Sequence, residues 1–176
     1  MCVISDSENL IFLHAPKCGG MSFITNNNKI WNNPQGTNHV HLSYIKTRNY
    51  FSSISKIDFF NNANIYARVR EPLPRMKSLY SFVLVRPDHP LNIDTKNGFE
   101  SFVNRVCSSE KLIFGPCYRF LMNEKRVIDP RIKIERLEDV KGETIHNTSK
   151  SNEVDVTSTA EEMIREHFKK DYELWY

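Results

Sequence analysis

Leu10-Ile11-Phe12-Leu13-His14-Ala15-Pro16-Lys17-Cys18-Gly19-Gly20-Met21-Ser22 runs from a block of large apolar residues straight into a lysine, paired glycines and a hydroxyl. The apolar block has the length and content of a buried strand. The segment from Pro16 to Ser22 has the composition of a phosphate-binding turn. Glycines let successive backbone N–H groups close around an anion, Lys17 adds a mobile positive charge, and a helix after the turn points its positive end at the ligand. Lys17 precedes the glycines, whereas the Walker arrangement places its lysine after them. Taken alone, the stretch fits either an anion cradle or an ordinary strand-to-helix turn.

A second stretch, Ala67-Arg68-Val69-Arg70-Glu71-Pro72-Leu73-Pro74-Arg75-Met76-Lys77-Ser78-Leu79-Tyr80, repeats the grammar. Arg70 ends a strand-like run from Asn64 to Val69, and Pro72 and Pro74 suit the first turn of a helix, where a missing N–H costs little. Arg75, Ser78 and Phe82 come next at near-helical spacing, and Arg70 and Ser78 are placed to converge on one phosphate. Together the two stretches resemble the sulfotransferase superfamily. Its members read Pro-Lys-x-Gly-Gly-Thr-Ser at the 5′-phosphosulfate loop and Arg-x-Pro-x-x-Arg-x-x-Ser-x-Tyr at the 3′-phosphate site. Met21 departs from the pattern, standing where the family has threonine or serine, so one hydroxyl contact to the donor is lost.

Weaker matches occur in order along the chain. Phe114 to Leu121 is similar to the family's Pro-Gln-x-x-Tyr-Leu helix start, and Ile132 to Asp139 to its late strand and Glu-Asp-Leu. His146-Asn147-Thr148-Ser149-Lys150 resembles the Asn-x-Ser-Lys segment near the nucleotide, and Phe168 to Tyr176 the terminal Asp-Tyr helix. The resemblance is closest to the carbohydrate-acting, Golgi-type branch. It implies 3′-phosphoadenosine 5′-phosphosulfate (PAPS) as donor, 3′,5′-diphosphoadenosine (PAP) as product, no metal, and a carbohydrate or other hydroxyl-bearing acceptor.

Sulfuryl transfer needs a donor held in line with the acceptor, charge stabilisation on the departing phosphate, and a destination for the acceptor proton. By resemblance, the backbone of Cys18, Gly19, Gly20, Met21 and Ser22 holds the 5′-phosphosulfate and Lys17 neutralises the leaving oxygen. Arg70 and Ser78 hold the 3′-phosphate, and Lys150 is a further donor-binding candidate. Between Met21 and Arg68 the only carboxylate is Asp58, whereas His39 and His41 sit together in Asn38-His39-Val40-His41-Leu42-Ser43-Tyr44. Imidazole titrates near neutral pH and suits a general base. The pattern also resembles the base-bearing segment of uronosyl 2-O-sulfotransferases, which makes His41 the first choice and His39 the second. His14, His89, His146 and His167 have no motif support and are expected to be structural or exposed.

Alternation of strands and helices predicts an α/β fold, a single P-loop-like domain over residues 1–176 with a central parallel sheet flanked by helices. Strands are expected at 9–14, 64–69 and 131–136, with helices near 20–29, 44–55, 73–85, 98–107 and 115–123 and a last one whose N-cap lies in Thr157-Ser158-Thr159. Residues 26–38 and 86–97 read as loops on the acceptor side. Both Lys17 and Arg70 then fall beyond the carboxyl ends of strands, where such sheets bind ligands.

The 176 residues are 40% hydrophobic and carry a formal charge of +3, enough for one core and too little charge for a polybasic nucleic-acid binder. The start of the chain shows no leader pattern, and no window approaches a membrane span. The expectation is a soluble cytoplasmic protein with no membrane partner, the alternative being an excised luminal domain. Cys2, Cys18, Cys107 and Cys117 show no metal spacing; reduced thiols are expected, with a Cys107–Cys117 pair as the alternative in an oxidising compartment. Two other functions remain open at this level: a nucleotide-binding module without turnover, and a P-loop kinase using Mg²⁺ and ATP.

Overall fold

A computed structural model describes residues 2–26, 41–89, 91–109, 114–141 and 154–176. Four strands form one sheet in sequence order: β1 (Cys2–Ser5), β2 (Leu10–His14), β3 (Asn64–Val69) and β4 (Ile132–Arg136). The last three are parallel, with His14 beside Arg68 and Arg68 beside Glu135. β1 runs antiparallel to β2, pairing Ser5 with Leu10. A central parallel sheet is expected, and β2, β3 and β4 form it; β1 adds an antiparallel edge for a simple reason. A parallel neighbour needs a crossover of a dozen or more residues. Here one 3-10 turn, Asp6–Glu8, and Asn9 at φ +49° separate the strands, which permits only a hairpin.

Helices separate and flank the parallel strands. α1 (Gly20–Asn26) leaves β2, α2 (Tyr44–Ser53) and α3 (Ile57–Asn62) precede β3, and α4 (Pro72–Leu84) leaves it. Next come α5 (Asn92–Thr95), α6 (Gly98–Cys107) and α7 (Cys117–Leu121), then β4, α8 (Ser158–His167) and α9 (Lys169–Trp175). The helix expected over 44–55 ends instead at Ser53, and a turn with Ser55 at φ +57° separates it from α3. Ser43 and Thr157 cap α2 and α8 by accepting from the N–H of Lys46 and Ala160. Among the described residues no helix is long and apolar enough to cross a membrane.

Strand alternation gives the sheet two unlike faces. Ile11, Leu13, Ile65, Ala67, Val69 and Ile132 point into an apolar core closed by Phe51, Phe60, Phe120 and Leu121. Burying each such large side chain contributes about 1.5–3 kcal/mol. The other face carries Phe12, Tyr66, His14 and Arg68, and Phe23 of α1 stacks on Phe12 with ring centroids 3.9 Å apart. A second core lies where α4, α6, α8 and α9 meet. Phe99, Phe102, Val103 and Val106, at the i, i+3, i+4, i+7 spacing of one helix face, pack there with Met76, Val83, Ile164 and Phe168. The sheet and this helical core meet at the carboxyl ends of β2 and β3.

Candidate functional site

The turn after β2 is shaped by two residues with positive φ, Lys17 at +65° and Gly19 at +71°. Glycine adopts that conformation freely; lysine does so at a cost of about 1–2 kcal/mol. The surroundings hold the strained backbone in place. Arg75 donates through Nε to the Pro16 carbonyl at 3.0 Å and through Nη1 to the Gly115 carbonyl at 2.9 Å. Arg70 reaches the Lys17 carbonyl at 3.3 Å, and Arg68 the Gly19 carbonyl at 3.4 Å. Guanidinium groups from β3, its exit and α4 thus grip three carbonyls of the first turn.

Sterics tighten the grip. A Cβ at Gly19 would stand 2.6 Å from Leu137 Cδ1, and one at Gly20 would stand 2.2 Å from the His14 ring. Gly20 is therefore the place made for His14, whose ring lies between the start of α1 and His41. Sequence motifs give His14 no role beyond a structural or exposed one. It is buried, and its ring centroid stands 4.8 Å from that of His41, edge to face. Burial above all, and then positive neighbours including Lys17 and Arg68, hold its pKa well below that of an ordinary histidine. His14 is a neutral spacer.

His41 enters the site through its backbone-facing nitrogen. Its Nδ1 lies 2.9 Å from the His14 carbonyl oxygen. A carbonyl only accepts, so Nδ1 carries the hydrogen, and in the neutral ring Nε2 carries the lone pair. That tautomer is the one a proton acceptor needs. Its companion His39 and the lysine candidate Lys150 lie outside the described residues, as does His146.

Lys17 projects its ammonium 4.3 Å above the centre of the Phe82 ring, and Arg86 places its guanidinium carbon 3.9 Å from the same centre. Burial, followed by the nearby charges of Arg70 and Arg86, lowers the Lys17 pKa from 10.5 to about 8. Crowding like charges around a half-buried ammonium costs stability in the free protein, and an anionic ligand removes that cost. Arg86 and Phe82 are additions to the expected binding residues. In sequence Arg86 only opens a candidate acceptor loop, and it is the turn at the end of α4 that brings it over Phe82.

The expected donor set is partly brought together. Lys17, Cys18 and Gly19 share the turn with Arg70, and Gly20, Met21 and Ser22 begin α1. The N–H groups of a first helical turn lack intrahelical acceptors, which suits an anion. The Cys18 N–H is differently placed, since it has the Ala15 carbonyl at 3.4 Å as its acceptor. Ser78 is half-buried on α4, one turn beyond Arg75. Arg75 itself is 4% exposed and clasps backbone, so it is part of the scaffold. Arg68 is likewise inside, held through Nε by Glu135 at 2.9 Å. No protein-family model matches the chain, and no curated protein or solved structure matches it either.

Proposed function

We propose that the protein is a sulfotransferase that moves a sulfo group from PAPS to a hydroxyl, most simply of a carbohydrate, by in-line displacement. The observation that carries the reading is the convergence of Lys17, Arg70 and Arg86 on the glycine turn, with Lys17 depressed to a pKa of about 8 by burial and by those two arginines. A two-phosphate ligand gives that cluster its counter-charge. The motif resemblance of both turns names the nucleotide.

In this reading the 5′-phosphosulfate sits on the first-turn amides of Gly20, Met21 and Ser22, and Arg70 and Ser78 take the 3′-phosphate. Lys17, protonated, stabilises negative charge growing on the bridging oxygen as the S–O bond breaks. His41 Nε2 receives the acceptor's proton while the hydroxyl oxygen forms its bond to sulfur, and the His14 carbonyl stabilises the resulting imidazolium through Nδ1–H. Each of these roles is filled by a side chain or amide of the chain itself. Cytoplasmic localisation is part of the same proposal.

Incubation of the purified chain with radiolabelled PAPS and a panel of glycans tests the reading. Label transfer that disappears in His41→Ala supports it. PAP binding without transfer to any hydroxyl acceptor favours a nucleotide-binding module, and transfer of phosphate from ATP with Mg²⁺ favours a kinase.

A further inference from the structure

Among the described residues the close cysteine pair is not the Cys107–Cys117 alternative that the sequence offers. Cys18, in the glycine turn, and Cys117, at the start of α7, bring their sulfurs to 3.7 Å although 99 residues apart in sequence. Both are buried, at 0% and 1% exposure. Cys107, the alternative partner of Cys117, instead directs its thiol to the Met163 carbonyl at 3.9 Å. Each member of the close pair is anchored by its own backbone. The Cys18 N–H has the Ala15 carbonyl as acceptor at 3.4 Å, and the Cys117 N–H donates to Asp171 Oδ2 at 2.7 Å. The two sulfurs are therefore presented to each other by fixed elements.

We propose that Cys18 and Cys117 are a peroxide-oxidisable pair whose disulfide fastens the glycine turn to the start of α7. A disulfide needs its sulfurs at about 2.05 Å, so side-chain rotation and a small shift of the turn close the gap. The two thiols are chemically unequal, which suits a nucleophile and a resolving partner. Burial pushes the Cys18 thiol up, but its hydrogen bond with Cys117 and the positive charge of Arg75 outweigh it and leave its pKa lowered. Cys117, which shares that hydrogen bond and is itself buried, is raised well above an ordinary thiol. Lys17 and Gly19 on either side of Cys18 are half-buried, so the turn lies at the surface and a small oxidant reaches it by local opening.

The chemistry balances with hydrogen peroxide. The Cys18 thiolate attacks one peroxide oxygen; an S–O bond forms, the O–O bond breaks, and hydroxide leaves, taking the proton of Cys117. The Cys117 thiolate then attacks the Cys18 sulfur; the S–S bond forms, the S–O bond breaks, and the second hydroxide is protonated to water. Two thiols lose two electrons and two protons in all, and one peroxide becomes two waters.

The test treats the reduced full chain with peroxide, blocks the remaining thiols, and maps linked peptides by mass spectrometry. The expected result is a Cys18–Cys117 link, reversed by dithiothreitol, with an unfolding midpoint raised on the order of 10 °C by closure of the long loop. Cys107 provides the internal control, since burial pushes its pKa up to about 11 and it should stay unmodified. In Cys117→Ser and in Cys18→Ser alike the linked peptide should be absent and the midpoint should not rise with peroxide. Absence of the linked peptide from the unaltered chain, links scattered over all cysteines, or a link with no rise in midpoint would each overturn the proposal. Should a serine variant fail to fold, the linked peptide of the unaltered chain decides. PAP in the turn should slow the oxidation; that consequence rests on the nucleotide reading, and equal rates with and without PAP would count against the nucleotide's position and not against the pair.

Discussion

The two strand-to-helix turns look alike in sequence and do different jobs. The turn after β2 is an object that is held: two positive φ values, carbonyls gripped by arginines, and two glycines pressed by Leu137 and His14. The turn after β3 is the tool that holds it. Glu71 leads into α4 with no side-chain cap, Pro72 starts the helix, and the Glu71 N–H is taken by Glu138 from the segment after β4. Arg68, Arg70 and Arg75 then all reach across to the first turn. A basic motif that reads in sequence as one phosphate site thus serves in part as scaffold. Arg75 belongs wholly to the scaffold, and Arg70 combines a scaffold contact with a place beside Lys17.

That division can be broken experimentally. The largest effects belong to the held turn and its base: His41→Ala should lower turnover about 10²–10⁴-fold while sparing PAP affinity, and Lys17→Ala should cost about 10²–10³-fold in kcat. Sulfo transfer at the unaltered rate in either variant would remove it from the mechanism. Next, Arg75→Met should destabilise the fold by about 2–6 kcal/mol in denaturant titration, because it strips donors from the buried Pro16 and Gly115 carbonyls. Lys17→Ala should not share that loss. Arg70→Ala sharpens the comparison from the middle, weakening PAP about 10–100-fold in calorimetry with a smaller loss of stability.

The smallest effect is a pH dependence. Lys17 titrates at about 8 in the folded chain, so its charge fades as pH rises through that value and PAP affinity should fall several-fold between about pH 7 and pH 9.5. Lys17→Arg, charged throughout, should flatten the profile. Stability of the unliganded chain runs the other way. The folded state releases this proton more readily than the unfolded state, whose lysine titrates at 10.5, so the penalty present below pH 8 disappears as pH rises towards 10.5. Lys17→Met should accordingly raise the unfolding midpoint at neutral pH and give a smaller gain in alkali.

The strands and helices that position the site are legible in the sequence because their signals are local. The run 64–69 coincides with β3 and 98–107 with α6, where apolar content and helical spacing decide the outcome. The cap of α8 is recognisable in Thr157-Ser158-Thr159 because capping is a contact within one turn, and the structure assigns it to Thr157. The antiparallel edge strand and the break at Ser55 are not legible, since one depends on a very short connection and the other on a single positive φ. Within the candidate site, Lys17, Arg70 and His41 are the residues that motif spacing singles out, and the structure sets Arg70 on the Lys17 carbonyl and His41 on that of His14. His14 and Arg86 owe their positions to other elements. His14 offers one clue, its alternation with Phe12 on the face that α1 covers, which registers it beside Arg68. The 3.7 Å approach of Cys18 and Cys117 has no local signal, because Arg75 joins the turn to the residues before α7 and Asp171 of α9 holds the start of that helix.

The most direct test of the account is calorimetric titration of the purified chain with PAP in EDTA, with ATP as comparator, repeated on Arg70→Ala. The account predicts metal-independent binding of PAP in preference to ATP and a clear loss of affinity in the variant. No binding of PAP, or a preference for ATP that requires Mg²⁺, would contradict it.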